Sequence, residues 1–181
     1  FGDNQFFAVN HASDEKARAQ SILFKEDATI IKVLNVAIDM GINLFDTAEM
    51  YGSGESESQL GKMIGKENRS RVIIATKVSP QNCQPEKLIQ SCENSLKRLN
   101  TDYIDLYQVH WPPQDIPFGD VYATMKKLQD EGKIRYIGIS NFGVNNMQEW
   151  FSNGGTAISN QIGYNLLFRV PEYEIIPYCI E

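Results

Sequence analysis

Apolar positions along this chain fall into two alternating rhythms. Behind Asp27, a favourable cap, Ile30, Val33, Leu34, Ala37 and Met40 recur at helical spacing until Gly41 stops the run. Residues 43–47 then read as a strand. The Gly52-Ser53-Gly54 loop follows, and a short helix opens at Ser56, with Gln59 three positions on completing a capping box. Residues 72–78 are apolar without alternation, as expected of a strand covered on both faces. Pro85 begins a helix with an inner stripe of Leu88, Cys92, Leu96 and Leu99. Residues 104–110 form the next strand, and Trp111-Pro112-Pro113 then forces an extended loop.

Val121, Met125 and Leu128 mark another helix, stopped at Gly132. A strand at 134–139 ends at Ser140-Asn141. A short helix at 147–151, a strand at 157–162 and a helix opened by Pro171 and still running at Glu181 complete the order. With an earlier strand at 5–9 and a loop or short helix at 11–18, strands and helices alternate six times. Asp46, Lys77, His110 and Ser140 each close a strand, at intervals of about thirty positions, the length of a strand-helix unit. That beat predicts an α/β parallel barrel, in which the loops after the strands converge on one mouth. The rival, an open doubly wound sheet, would carry a Gly-rich dinucleotide fingerprint after its first strand, and none is present.

With 181 residues, 42% hydrophobic and 22% charged, the chain is expected to form one packed domain, residues 1–181. Such a barrel typically needs about 250 residues, so the expectation is a (β/α)8 barrel truncated after about six units, roughly three quarters of the whole. The start at Phe1 without an initiator Met also suggests a fragment. A net charge of −6 and a pI near 5.0 argue against nucleic acid or an anionic membrane as partner. Cys83, Cys92 and Cys179 are too few and too irregular for a disulfide framework or metal knuckle, which suits a reduced, cytoplasmic protein. No apolar run reaches the roughly 18 residues of a membrane span, so no membrane insertion is expected.

Candidate chemistry gathers where strands stop. A phenol with an ordinary pKa near 10 gives up a proton at neutral pH only when its anion is stabilised. Lys77 beside Tyr51 would do so by charge, with Asp46 holding the lysine charged and oriented. His110 would donate a hydrogen bond to a substrate oxygen and fix a carbonyl beside the tyrosine. Taken singly, the blander roles are a cap for Asp46, a surface charge for Lys77, a packed loop aromatic for Tyr51 and a carbonyl partner for His110. Acyl transfer lacks a serine or cysteine nucleophile here. A metal on Asp46, Glu49 and His110 is disfavoured by the spacing and by Lys77 among them, so no metal is expected.

The segments Asp46-Thr47-Ala48-Glu49-Met50-Tyr51-Gly52, with Ser56-Glu57, and Ile74-Ala75-Thr76-Lys77 carry a resemblance. So do the run from Leu99 to His110, the run from Gly132 to Phe142, and Asn160-Gln161. Through these the chain resembles the aldo-keto reductases, NAD(P)-dependent enzymes on an eight-unit parallel barrel. The resemblance implies a catalytic tetrad of Asp46, Tyr51, Lys77 and His110 that reduces an aldehyde or ketone to an alcohol. In this chemistry a nicotinamide passes hydride to the carbonyl carbon and the tyrosine protonates the oxygen.

The resemblance further implies cofactor contacts at Asp46, Ser140, Asn141 and Gln161, with Trp111 as a wall of the substrate pocket. A small-molecule carbonyl substrate is implied, and NADP(H) ahead of NAD(H), although the strands that would select between them are expected beyond Glu181. Residues 2–7 depart from the Gly-Leu-Gly-Thr type of stretch usual in the family's first strand. Two other readings stay open: a cofactor-binding regulatory or scaffolding barrel with little turnover, and a barrel with an intact tetrad that no longer takes the cofactor.

Overall fold

The computed structural model describes residues 27–181, and over them helices and strands alternate in the predicted order. Helix α1 (Asp27–Asp39) precedes strand β1 (Leu44–Asp46). Helix α2 (Glu55–Asn68) leads to β2 (Ile73–Val78), α3 (Pro85–Leu99) to β3 (Ile104–Val109), α4 (Phe118–Asp130) to β4 (Ile134–Ser140), and α5 (Val144–Ser152) to β5 (Asn160–Gln161). A last short helix, α6, spans Ile175–Ile180. The strands are all parallel, in the order β1-β2-β3-β4-β5, and form a half-barrel with helices. The strand expected at 5–9 and the segment at 11–18 lie outside the described residues.

Strand alternation sorts the side chains. Phe45, Ile74, Tyr107, Val109 and Ile139 are buried, as are Leu88, Cys92 and Leu99 of α3 and Val121, Met125 and Leu128 of α4. On the other face lie Leu44 and Ile73, which pair in register, and Tyr136, which pairs with Leu106 two positions further along the strands; all three are 41–54% exposed. The described residues leave these three apolar side chains uncovered. Helices α2 and α3 pack closely at Gly61, where a Cβ would run into the backbone of Leu99.

Strands expected at 43–47, 72–78, 104–110 and 134–139 match within one residue at either end. Four expectations need correction. Met40 lies past the last residue of α1 and is 78% exposed, while Ile38 takes the inner position. The capping box at Ser56 is absent. Gly54, at φ +95°, is the N-cap, the Ser56 hydroxyl pairs with that of Thr47 at 2.6 Å, and Gln59 donates to Glu55. The strand expected at 157–162 narrows to Asn160–Gln161, because at this edge it has only β4 to pair with. The helix expected to run unbroken from Pro171 splits into a 3-10 turn at Val170–Glu172 and α6. Pro177 has no N–H for the Tyr173 carbonyl and its ring would collide with it, so a continuous helix is forbidden.

Candidate active site

The C-terminal ends of β1, β2 and β3 bring the predicted residues together. β1 stops at Asp46, and pairing continues past it, with the Thr47 N–H donating to the Ala75 carbonyl at 2.9 Å. The chain then turns through a 3-10 helix at Tyr51–Gly54, where Gly52, Ser53 and Gly54 all take positive φ. This folds Tyr51 back over the strand ends.

Lys77, on β2, is 1% exposed. Its Nζ donates to Asp46 Oδ1 at 2.8 Å, to Asp46 Oδ2 at 2.9 Å and to the Thr47 carbonyl at 2.8 Å. A buried ammonium is tolerated only with such partners, so the carboxylate fixes both its charge and its direction. Nζ also lies 5.3 Å from the centre of the Tyr51 ring. That ring meets the His110 imidazole edge-on, with centroids 5.7 Å apart and planes at 79°. Phenol, ammonium, carboxylate and imidazole therefore form one cluster from three successive strand ends.

His110 follows β3 and is 4% exposed. Burial, reinforced by the positive charge of Lys77, pushes its pKa down to about 4, so the ring is neutral at pH 7 and carries a single N–H. Its Nδ1 is buried without a hydrogen-bond partner among the described residues. Trp111 stacks on the imidazole at 3.9 Å and 15°, remains 40% exposed, and borders an open cavity with Pro80, Pro112 and Phe118.

Ser140, Asn141 and Gln161 lie together at the ends of β4 and β5. The Ser140 hydroxyl is buried and donates to the Gln161 carbonyl at 2.9 Å, so its remaining capacity is as an acceptor. Asn141, at φ +60°, donates through Nδ2 to the His110 carbonyl at 2.9 Å and to Ser140 Oγ at 3.1 Å. Gln161 Oε1 accepts from Gln108 Nε2 at 3.3 Å. Both residues are exposed, and Asn141 Oδ1 and Gln161 Nε2 have no partner among the described residues. A free amide oxygen and a free amide nitrogen complement the two polar atoms of a carboxamide. These residues thus fit a nicotinamide.

Glu49 faces elsewhere. Its Oε1 accepts from the Ser79 N–H at 2.7 Å and from Asn82 Nδ2 at 3.0 Å, tying the loop after β2 to the Tyr51 loop. Burial, with a smaller push from Glu49, raises the neighbouring Cys83 thiol to about 12, so it supplies no thiolate. Sequence reasoning missed Gln108, buried and hydrogen-bonded to Gln161. It stands two positions before His110 on the same face of β3, and period-two spacing could have found it. The buried Glu57 was noticed only inside a motif.

The sequence model of the Aldo/keto reductase family matches residues 18–181. Curated relatives include aldo-keto reductase YhdN of Bacillus subtilis, 42% identical over 85% of this chain and 49% of its own length. Methylglyoxal reductase YeaE of Escherichia coli is also 42% identical, over 83% of this chain and 53% of its own. An NADH-specific methylglyoxal reductase of the same organism is 34% identical over 77% and 49%. Among solved structures, an aldo-keto reductase from Klebsiella pneumoniae in complex with NADPH matches with a TM-score of 0.78 and 38% identity, covering 83% of this chain and 53% of that one. The chain spans about half the length of the curated relatives it matches.

Proposed function

This chain belongs to the aldo/keto reductase family, and on that premise we propose that the whole protein reduces an aldehyde or ketone to an alcohol, with Tyr51 as the general acid. The observation that carries the reading is the cluster itself: an ammonium clamped by Asp46 beside the phenol, with a neutral imidazole against the phenol's edge.

Each residue has a part. Neutral His110 donates its N–H to the carbonyl oxygen and aims that oxygen at Tyr51. As negative charge grows there, the Tyr51 O–H bond breaks and a new O–H bond forms on the substrate. The phenolate left behind is stabilised by the Lys77 charge, which Asp46 and the Thr47 carbonyl hold in place. Trp111 covers His110 and walls the substrate. Asn141 and Gln161 hold the carboxamide of the nicotinamide, and Ser140 and Gln108 orient them. When bound, the reduced nicotinamide supplies the hydride that adds to the carbonyl carbon. NADP(H) is our assignment ahead of NAD(H), supported by the NADPH complex of the Klebsiella enzyme, with the NADH-specific relative as the opposing precedent. We assign residues 1–181 to a single, incomplete barrel domain of a cytoplasmic protein. Among the described residues no helix is long and apolar enough to cross a membrane.

NADPH fluorescence titration of the whole protein, run beside an assay of NADPH oxidation with methylglyoxal and other small aldehydes and ketones, tests the proposal. Saturable binding together with carbonyl-dependent oxidation is expected. Binding without turnover against any carbonyl would overturn it in favour of a regulatory or scaffolding barrel.

A further inference from the structure

A second network lies on the far side of the same strand ends. Thr76 and Lys77 are consecutive on β2 and so point to opposite faces. Lys77 meets Asp46 on one face. On the other, the Thr76 hydroxyl donates to Glu57 Oε1 at 2.6 Å, and both residues are fully buried. Glu57 Oε2 accepts from Arg98 Nε at 2.6 Å and lies 2.6 Å from Arg98 Nη2, which closes a two-pronged ion pair between α2 and α3. One residue earlier on α2, the Ser56 hydroxyl pairs with that of Thr47, the residue that follows Asp46. Adjacent residues of one helix thus grip the immediate neighbours of Asp46 and Lys77.

The network also reaches the tyrosine loop. Gly54 closes the turn that carries Tyr51, and a Cβ there would lie 2.7 Å from Arg98 Cδ and 2.8 Å from Nε. The guanidinium end of Arg98 therefore lies directly against this turn, and Glu57 holds it there. A carboxylate with no exposed surface is costly to keep. Here its two oxygens go to two separate parts of the site, the β2 end and the Tyr51 turn.

We propose that Glu57, with Thr76 and Arg98, is a positioning device that sets the separation of Tyr51 from Lys77, from behind the strands and without touching substrate. This rests on the reading of Tyr51 as the acid. Slackening the device lets phenol and ammonium drift apart, so turnover falls and the phenol becomes harder to ionise, while the carboxamide contacts at Asn141 and Gln161 are left alone.

The test uses the whole protein carrying Thr76→Val, which keeps volume and removes only the hydroxyl, with Thr76→Ser as the rescue and Tyr51→Phe in parallel. Thr76→Val is expected to lower kcat roughly 10- to 100-fold, leave NADPH binding nearly unchanged, and raise the Tyr51 titration midpoint, read as the ultraviolet difference between each protein and its Tyr51→Phe counterpart. Thr76→Ser should restore all three. Arg98→Lys, a milder change, gives the same readouts if Thr76→Val does not fold. Lower thermal stability with kcat and the Tyr51 midpoint unchanged would overturn the proposal and leave a purely structural brace. A Tyr51→Phe protein as active as the parent would instead overturn the assignment of the acid. The ultraviolet titration reads the device even where turnover is absent.

Discussion

At the N-terminal ends of β2 to β4, Asp105 accepts from Arg69 at 2.6 Å, from Arg135 at 2.8 Å and from the Ile74 N–H at 3.0 Å. Arg69 also donates to the carbonyls of Val72 and Tyr103 and to the Thr101 hydroxyl, and the Tyr103 ring lies between the two guanidinium groups at 3.9 and 3.8 Å. At the C-terminal ends Asp46 similarly holds a buried cation, yet the surroundings are left unfinished. His110 Nδ1, Asn141 Oδ1 and Gln161 Nε2 have no partner among the described residues. Of these only His110 Nδ1 is buried, where an unpaired polar group is unusual, while Asn141 and Gln161 are exposed and offer their unused atoms to whatever binds beside them. In the proposed reading, the end with its aspartate fully engaged is scaffold and the end with spare donors and acceptors is the site.

Breaking the scaffold end should cost the most stability. Asp105→Ala leaves two guanidinium groups without their carboxylate, and a loss of about 3–5 kcal/mol is expected in urea unfolding. Turnover per folded molecule should hardly change; a selective loss of turnover would erase the contrast between the ends. A smaller effect is expected at the unfinished end. Gln161→Glu keeps an acceptor for Gln108 but removes the free donor, and should weaken NADPH roughly 3- to 10-fold with little change in unfolding. Unaltered affinity would remove Gln161 from the cofactor contacts.

The last effect, at His110, shows only in acid. Its folded pKa, about 4, lies below the unfolded value of about 6.5. As pH falls through 6.5 the unfolded chain takes up a proton that the folded ring refuses, so stability is lost between pH 6.5 and about 4 and the loss levels off below. In His110→Gln the acid loss over that window should be shallower. Identical pH profiles would show that burial and the Lys77 charge do not bear on this ring.

The alternation of strands and helices was legible because apolar periodicity is local, and the site because Asp46, Lys77 and His110 each sit where an apolar run stops. What stayed hidden depended on distant partners. Ser56 has the spacing of a cap, but a glycine turn already caps the helix and Thr47 claims the hydroxyl. Met40 keeps the helical spacing after the helix has ended. The role of Thr76 and Glu57 becomes visible only when α2 is known to lie behind β1 and β2. Leu44, Ile73 and Tyr136 read as ordinary strand residues in sequence, and only the sheet shows them exposed on one face of it. Those exposed side chains predict that the 181-residue chain by itself associates or precipitates, which light scattering would check.

The most direct test of the central claim is single-turnover reduction of a carbonyl by the whole protein carrying Tyr51→Phe. Removing one hydroxyl leaves the ring, its contact with His110 and the Asp46–Lys77 pair in place. The account predicts that reduction slows by roughly 10²- to 10⁴-fold while NADPH binds almost as before. Reduction at the parent rate would contradict it, because the proton would then come from elsewhere.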